Sequence, residues 1–119
     1  MHITLIPLLD DNYGYLVMDQ AKGVAAVVDP VEPQKVKTAV DIASVEVTHV
    51  LTTHKHWDHA GGNEAFKGLT PNVIVVGGEI DDVEACTMPV KHGDQLNIGD
   101  IKVKRDGRQV LPTLQKIAA

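Results

Sequence analysis

With 119 residues, 44% of them apolar and 23% charged, the chain suits one soluble domain with one small core and is too short for two. A formal charge of −5 without any run of Lys or Arg excludes nucleic acid as an expected partner. The one cysteine, Cys86, excludes an internal disulfide framework, and no stretch approaches the roughly 20 apolar residues that a membrane span needs.

Residues 3–8 read as a first strand and the Asp10-Asp11-Asn12 cluster as a turn. Residues 13–18 form a second strand, 20–23 a hairpin loop, and Val24-Ala25-Ala26-Val27-Val28 a third strand. The unbroken apolar run of the third strand predicts burial on both faces. Asp29-Pro30 stops it. Pro33 suits the first turn of a helix, and Val36, Ala39, Val40 and Ala43 follow as one apolar stripe. Residues 45–51 return to strand character. A loop over 52–62 leads into a short helix around 63–67. Val73-Ile74-Val75-Val76 is a further strand ended by Gly77-Gly78, and residues 95–103 read as a hairpin. This order predicts an α/β (α+β) fold with a mixed sheet and helices packed on one face. From Arg105 onward the chain changes character: Arg105-Asp106-Gly107-Arg108 is polar, and Leu111, Leu114 and Ile117 are spaced for one side of a short terminal helix, with a frayed end as the plainer reading.

The chemistry-bearing residues cluster in the loop His54-Lys55-His56-Trp57-Asp58-His59, directly after an apolar strand. Residues two apart in an extended segment project to the same side, so His54 and His56 can chelate one ion. Asp58 and His59 are adjacent, point different ways and can address a second. Neutral imidazoles and a carboxylate suit zinc, with iron(II) or manganese(II) as alternatives. The plain alternative is a solvated polar loop, but three His and one Asp within six residues argue for metal. His2 and His49 lie in or beside strands and read as structural; His92 reads as a surface turn residue, and Cys86 as a small buried hydrophobe rather than a nucleophile.

The H-x-H-x-D-H pattern resembles that of the metallo-β-lactamase superfamily. Three strings narrow the resemblance to glyoxalase II (hydroxyacylglutathione hydrolase): Leu9-Asp10-Asp11-Asn12-Tyr13-Gly14-Tyr15-Leu16-Val17, Val27-Val28-Asp29-Pro30-Val31-Glu32-Pro33, and His56-Trp57-Asp58-His59-Ala60-Gly61-Gly62-Asn63. It runs from Ile3 to about Lys104 and implies the N-terminal half of an αββα sandwich, with residues 1–104 as the family-like portion and 105–119 as a divergent tail. It implies a metal-dependent hydrolase of S-2-hydroxyacylglutathione thioesters such as S-D-lactoylglutathione. In that reading His54 and His56 bind one metal, Asp58 and His59 the other, and Asp58 is also catalytic, orienting the attacking water. Other hydrolases of the superfamily, such as lactonases or persulfide dioxygenases, are the nearby alternatives. The substrate-binding residues are not assigned.

The family supplies a third histidine to the first metal just after the strand that here ends near Lys104, then a bridging aspartate and another histidine. Here that region reads Arg105-Asp106-Gly107-Arg108-Gln109-Val110-Leu111-Pro112, without histidine. The glutathione-binding C-terminal part is absent too. These losses point to a truncated or alternatively spliced form of low activity, binding metal weakly or associating with a partner chain. With most of the second sheet missing, the inner face of the strands 24–28, 45–51 and 73–76 is expected to lie bare and to drive self-association. Without a secretory signal, the expected location is the cytosol, with a mitochondrial form as the alternative.

Overall fold

The computed structural model describes residues 2–9, 12–52, 61–78, 83, 85–91, 93–106 and 109–112. Six strands form the main sheet in sequence order: β1 (His2–Leu8), β2 (Asn12–Asp19), β3 (Val24–Val28), β4 (Glu46–Leu51), β5 (Ile74–Gly78) and β6 (Met88–Val90). β1, β2 and β3 pair antiparallel; β3 through β6 pair parallel. The two parallel steps from β3 to β4 and from β4 to β5 cross over through helices α1 (Pro33–Ala43) and α2 (Asn63–Leu69). A second, antiparallel sheet holds β7 (Gln95–Ile98), β8 (Ile101–Asp106) and β9 (Gln109–Pro112).

Period-two alternation sorts the side chains of the main sheet into two cores. On one face Ile6, Leu8, Leu16, Met18, Ala25, Val27, Val47, Val50 and Val75 meet Val36 and Val40 of α1 and Phe66 of α2. On the other, Val17, Ala26, Val28, Leu51, Val76 and Val90 meet Ile98, Ile101 and Val103 of the second sheet. The result is three layers, helices on sheet on sheet. β3 carries apolar side chains on both faces because it lies between two cores, as its unbroken run predicts.

α1 begins with Pro33 at its first position, where a missing N–H costs nothing. Ala39 and Ala43 pack beside Val36 and Val40, completing the predicted stripe. The helix stops at Ser44, whose backbone is left-handed (φ 56°) and whose N–H donates to the carbonyls of Val40 and Asp41.

Two expectations are corrected here. The inner face of β3, β4 and β5 is not bare: Ala26, Val28, Leu51 and Val76 are buried beneath the second sheet, with β7 against β3 and β9 against β5. The reason is that β7 and β8 alternate as the hairpin reading requires, with Ile98, Ile101 and Val103 turned inward and Gln95, Asn97, Lys102 and Lys104 exposed. What stays open is the same face farther along the sheet. Ile3 and Leu5 of β1 and Tyr13 and Tyr15 of β2 share the side of Val17 and are each more than a third exposed. The second correction concerns Leu111, which lies in β9 opposite Lys104 rather than in a helix, because β8 presents a free edge for pairing. Leu114 and Ile117 lie outside the described residues.

Candidate metal centre

Parallel strands in register bring their C-terminal ends abreast. Val28 pairs with Leu51, and Leu51 with Val76, so β3, β4 and β5 finish along one rim of the sheet. The antiparallel pairing of Tyr15 with Val28 brings the start of β2 to the same rim. Open α/β sheets bind ligands at this carboxyl-terminal edge, where strand ends and helix starts converge.

The residues that follow β4 are the ligand candidates. His54, His56, Asp58 and His59 lie outside the described residues, as do Lys55, Trp57 and His92. The described residues set where that segment leaves the sheet and where it returns. At its entry, the Asp29 N–H donates to the Leu51 carbonyl at 3.1 Å, and the Thr52 N–H donates to the Val76 carbonyl at 3.0 Å. Leu51 and Thr52 are thereby held between their two neighbouring strands. At its exit, Gly62 packs against the turn after β3. A Cβ there would lie 2.0 Å from the Pro30 carbonyl oxygen and 2.8 Å from the Val31 Cα, so the close approach requires glycine. Entry and exit also meet directly. The Asn63 side-chain Nδ2 donates to Thr52 Oγ1 at 3.0 Å, and both residues are buried.

The turn joining β3 to α1 belongs to the same rim. Asp29 is buried with a left-handed backbone (φ 54°), and the Val31 N–H donates back to the Asp29 carbonyl at 2.8 Å. The Leu9 N–H donates to Glu32 Oε1, tying the end of β1 to the start of α1. That bond, and secondarily the Lys35 ammonium 3.4 Å away, holds the Glu32 carboxyl below the usual carboxylate range.

The remaining histidines stand apart from this rim. His2 is at the exposed start of β1. His49 is half-buried within β4, its Nδ1 is 2.7 Å from Thr48 Oγ1, and burial lowers its pKa. Cys86 is only partly buried. Among the described residues no three His, Cys, Asp or Glu side chains come together to hold a metal, so His2 and His49 join no such cluster. In the sequence, Thr52, Gly62 and Asn63 stand out only as the flanks of the histidine segment. Their type and position offer one clue, a Thr and an Asn bracketing the histidines, but burial and mutual contact depend on the packing of β4 against α2.

Comparison with known proteins agrees with this architecture. The family model described as "Metallo-beta-lactamase superfamily" matches residues 11–103. The cytoplasmic hydroxyacylglutathione hydrolase of Arabidopsis thaliana is 50% identical over 104 residues, covering 87% of this chain and 40% of the relative. A hydroxyacylglutathione hydrolase-like protein of Bos taurus is 39% identical over 104 residues, covering 87% of this chain and 53% of the relative. The crystal structure of ETHE1 from Myxococcus xanthus matches with a TM-score of 0.74 at 25% identity, over 95% of this chain and 53% of that one. The chain therefore spans 40% and 53% of the curated relatives it matches.

Proposed function

This chain belongs to the metallo-β-lactamase superfamily, and from that premise we propose that it carries the first metal-binding loop of a glyoxalase II-type thioester hydrolase. The observation that carries the reading is the 50% identity to a hydroxyacylglutathione hydrolase across 104 residues that include the histidine loop. The substrate class is an S-2-hydroxyacylglutathione thioester such as S-D-lactoylglutathione.

The donor set fits a divalent ion. Three imidazoles and one carboxylate are ligands of the hardness zinc prefers, and iron(II) or manganese(II) would accept the same set. His54 and His56 would hold one ion, Asp58 and His59 a second. Acidification of water and polarisation of the thioester carbonyl are what such ions supply when bound. Asp58 has a further task in this reading: its carboxylate accepts a hydrogen bond from the attacking water and so orients it. A thiolate is a good leaving group, so the chain needs no strong general acid near the sulfur.

A second reading, a non-catalytic form that binds metal weakly or docks on a partner chain, is favoured by one observation: residues 105–112 contain no histidine to complete the set. We place the sequence divergence after Lys104, although backbone pairing continues from β8 into β9. Self-association is proposed through the apolar strip Ile3, Leu5, Tyr13 and Tyr15, the uncovered part of the inner sheet face. A cytosolic location accords with the name of the Arabidopsis relative; no helix among the described residues is long and apolar enough to cross a membrane.

The test is metal content and thiol release on the purified chain. Zinc-dependent release of glutathione from S-D-lactoylglutathione, lost in His56→Ala and Asp58→Ala, supports the hydrolase. Retained zinc without turnover supports the second reading. A chain that takes up no divalent metal defeats the hydrolase and leaves only the partner-docking form of the second reading.

A further inference from the structure

We propose that Thr52 and Asn63 are positioning residues that set the metal affinity of the histidine loop by holding its two ends together. The inference rests on the reading of His54, His56, Asp58 and His59 as ligands and goes beyond it by assigning a role to two residues that bind no metal.

Thr52 and Asn63 are 1% and 0% exposed, stand eleven positions apart, and bracket all four ligand candidates. A polar side chain in a core is costly unless it is hydrogen-bonded, and each answers part of the other's need through the 3.0 Å bond from Asn63 Nδ2 to Thr52 Oγ1. A valine at 52 and an apolar residue at 63 would fill the same space without that obligation, so the pair is expensive as mere filling.

The surroundings make this bond a lever on the loop. Thr52 is fixed to β5 through its own N–H, and Asn63 is the first residue of α2, whose Phe66 is buried in the helix-side core. The bond therefore joins a strand end to a helix start across the segment that carries the four ligand candidates. Closing a loop costs chain entropy. When the closure is made by the fold, an ion entering the loop does not have to meet that cost, and its affinity rises accordingly. Without the bond, part of the ordering falls on metal binding. The effect belongs to ligands that arise from one stretch of backbone, as these do.

Zinc affinity of the full chain, measured by competition with a chromophoric chelator, tests this alongside the melting temperature of the metal-free chain. Thr52→Val and Asn63→Ala should each weaken zinc binding by about tenfold or more, the range found when groups supporting metal ligands are removed. Thr52→Ser keeps the hydroxyl and should bind zinc as the unaltered chain does. The double variant should lose no more than Asn63→Ala alone, because Thr52→Val breaks a bond that Asn63→Ala has already removed. Unchanged zinc affinity in Thr52→Val with a lowered melting temperature would overturn the inference and leave the pair a structural one. Weakened binding in Thr52→Ser, or additive losses in the double variant, would overturn it too. Failure of the metal reading itself is seen separately, as absence of zinc binding in the unaltered chain.

Discussion

A methyl group at position 62 has nowhere to go. It would meet backbone atoms of Pro30 and Val31, which cannot swing aside as a flexible side chain would. Gly62→Ala should therefore force α2 away from the turn after β3 and destabilise the fold by about 1–3 kcal/mol. Gly68 supplies the control. It lies in α2 with nothing within 4 Å of its would-be Cβ, so Gly68→Ala should stabilise by about 0.5–1 kcal/mol. Denaturant midpoints of the two variants check the pair; equal midpoints would mean that the contact at Gly62 relaxes freely. Ser44 has a left-handed backbone, a region that disfavours side chains. Ser44→Gly should stabilise by about 1 kcal/mol, since the left-handed penalty is removed at some cost in unfolded-chain entropy. A lower melting temperature in that variant would show that the Ser44 side chain makes up the penalty.

Between elements, Asp19 joins the two sheets. It ends β2, is buried, and its Oδ2 accepts the Asp100 N–H at 2.8 Å from the turn between β7 and β8; its Oδ1 accepts the Lys22 N–H at 3.2 Å. The bond from Asp100 is the chief reason that the Asp19 carboxyl titrates below its ordinary 3.8, with the bond from Lys22 adding to it against the opposing effect of burial. The sign follows from linkage. A carboxyl with a lowered folded pKa contributes stability that is complete above its unfolded value and is lost as pH falls through the folded one. Below about pH 4 the second sheet should thus be held less firmly. Asp19→Asn should lower stability at pH 7 and flatten this acid dependence, as thermal melts from pH 2.5 to 7 would record. An unchanged acid slope would place the dependence on other carboxylates.

Across the whole molecule, the second sheet covers the inner face from Val17 of β2 to Val90 of β6 and leaves Ile3, Leu5, Tyr13 and Tyr15 of β1 and β2 more than a third exposed. Leu5 and Tyr15, paired across the two strands and 51% and 39% exposed, are the centre of that strip. β1 is also an edge strand of seven residues without Asp, Glu, Lys or Arg, the kind of edge that pairs with another chain. Self-association should therefore be concentration-dependent and should persist despite the net charge of −5, because the strip itself carries no formal charge. Leu5→Lys should abolish it in sedimentation experiments. Association that survives this change would locate the contact elsewhere.

The histidine loop, the apolar run of β3 and the stripe of α1 were legible in the sequence because each is a local pattern. His54, His56, Asp58 and His59 stand out as candidate ligands by type and spacing, and Val36, Ala39, Val40 and Ala43 declare a face by periodicity alone. The 95–103 hairpin was legible for the same reason; that it folds back over β3, β4 and β5 was not. Placement of one sheet on another depends on contacts between residues far apart in the chain, such as Asp100 with Asp19, which no short window contains. β9 escaped too, because Leu111, Leu114 and Ile117 suit a helix when read alone, and only the free edge of β8 makes Leu111 a strand residue. The sequence by itself thus determined the family, the order of elements from β1 to β5 and the later hairpin, and it offered a candidate set of metal ligands, all carried by neighbouring residues. The tertiary structure alone decided that the second sheet buries the inner face, that Gly62 must be glycine, and that Thr52 and Asn63 meet, since burial and contact are properties of segments brought together from a distance.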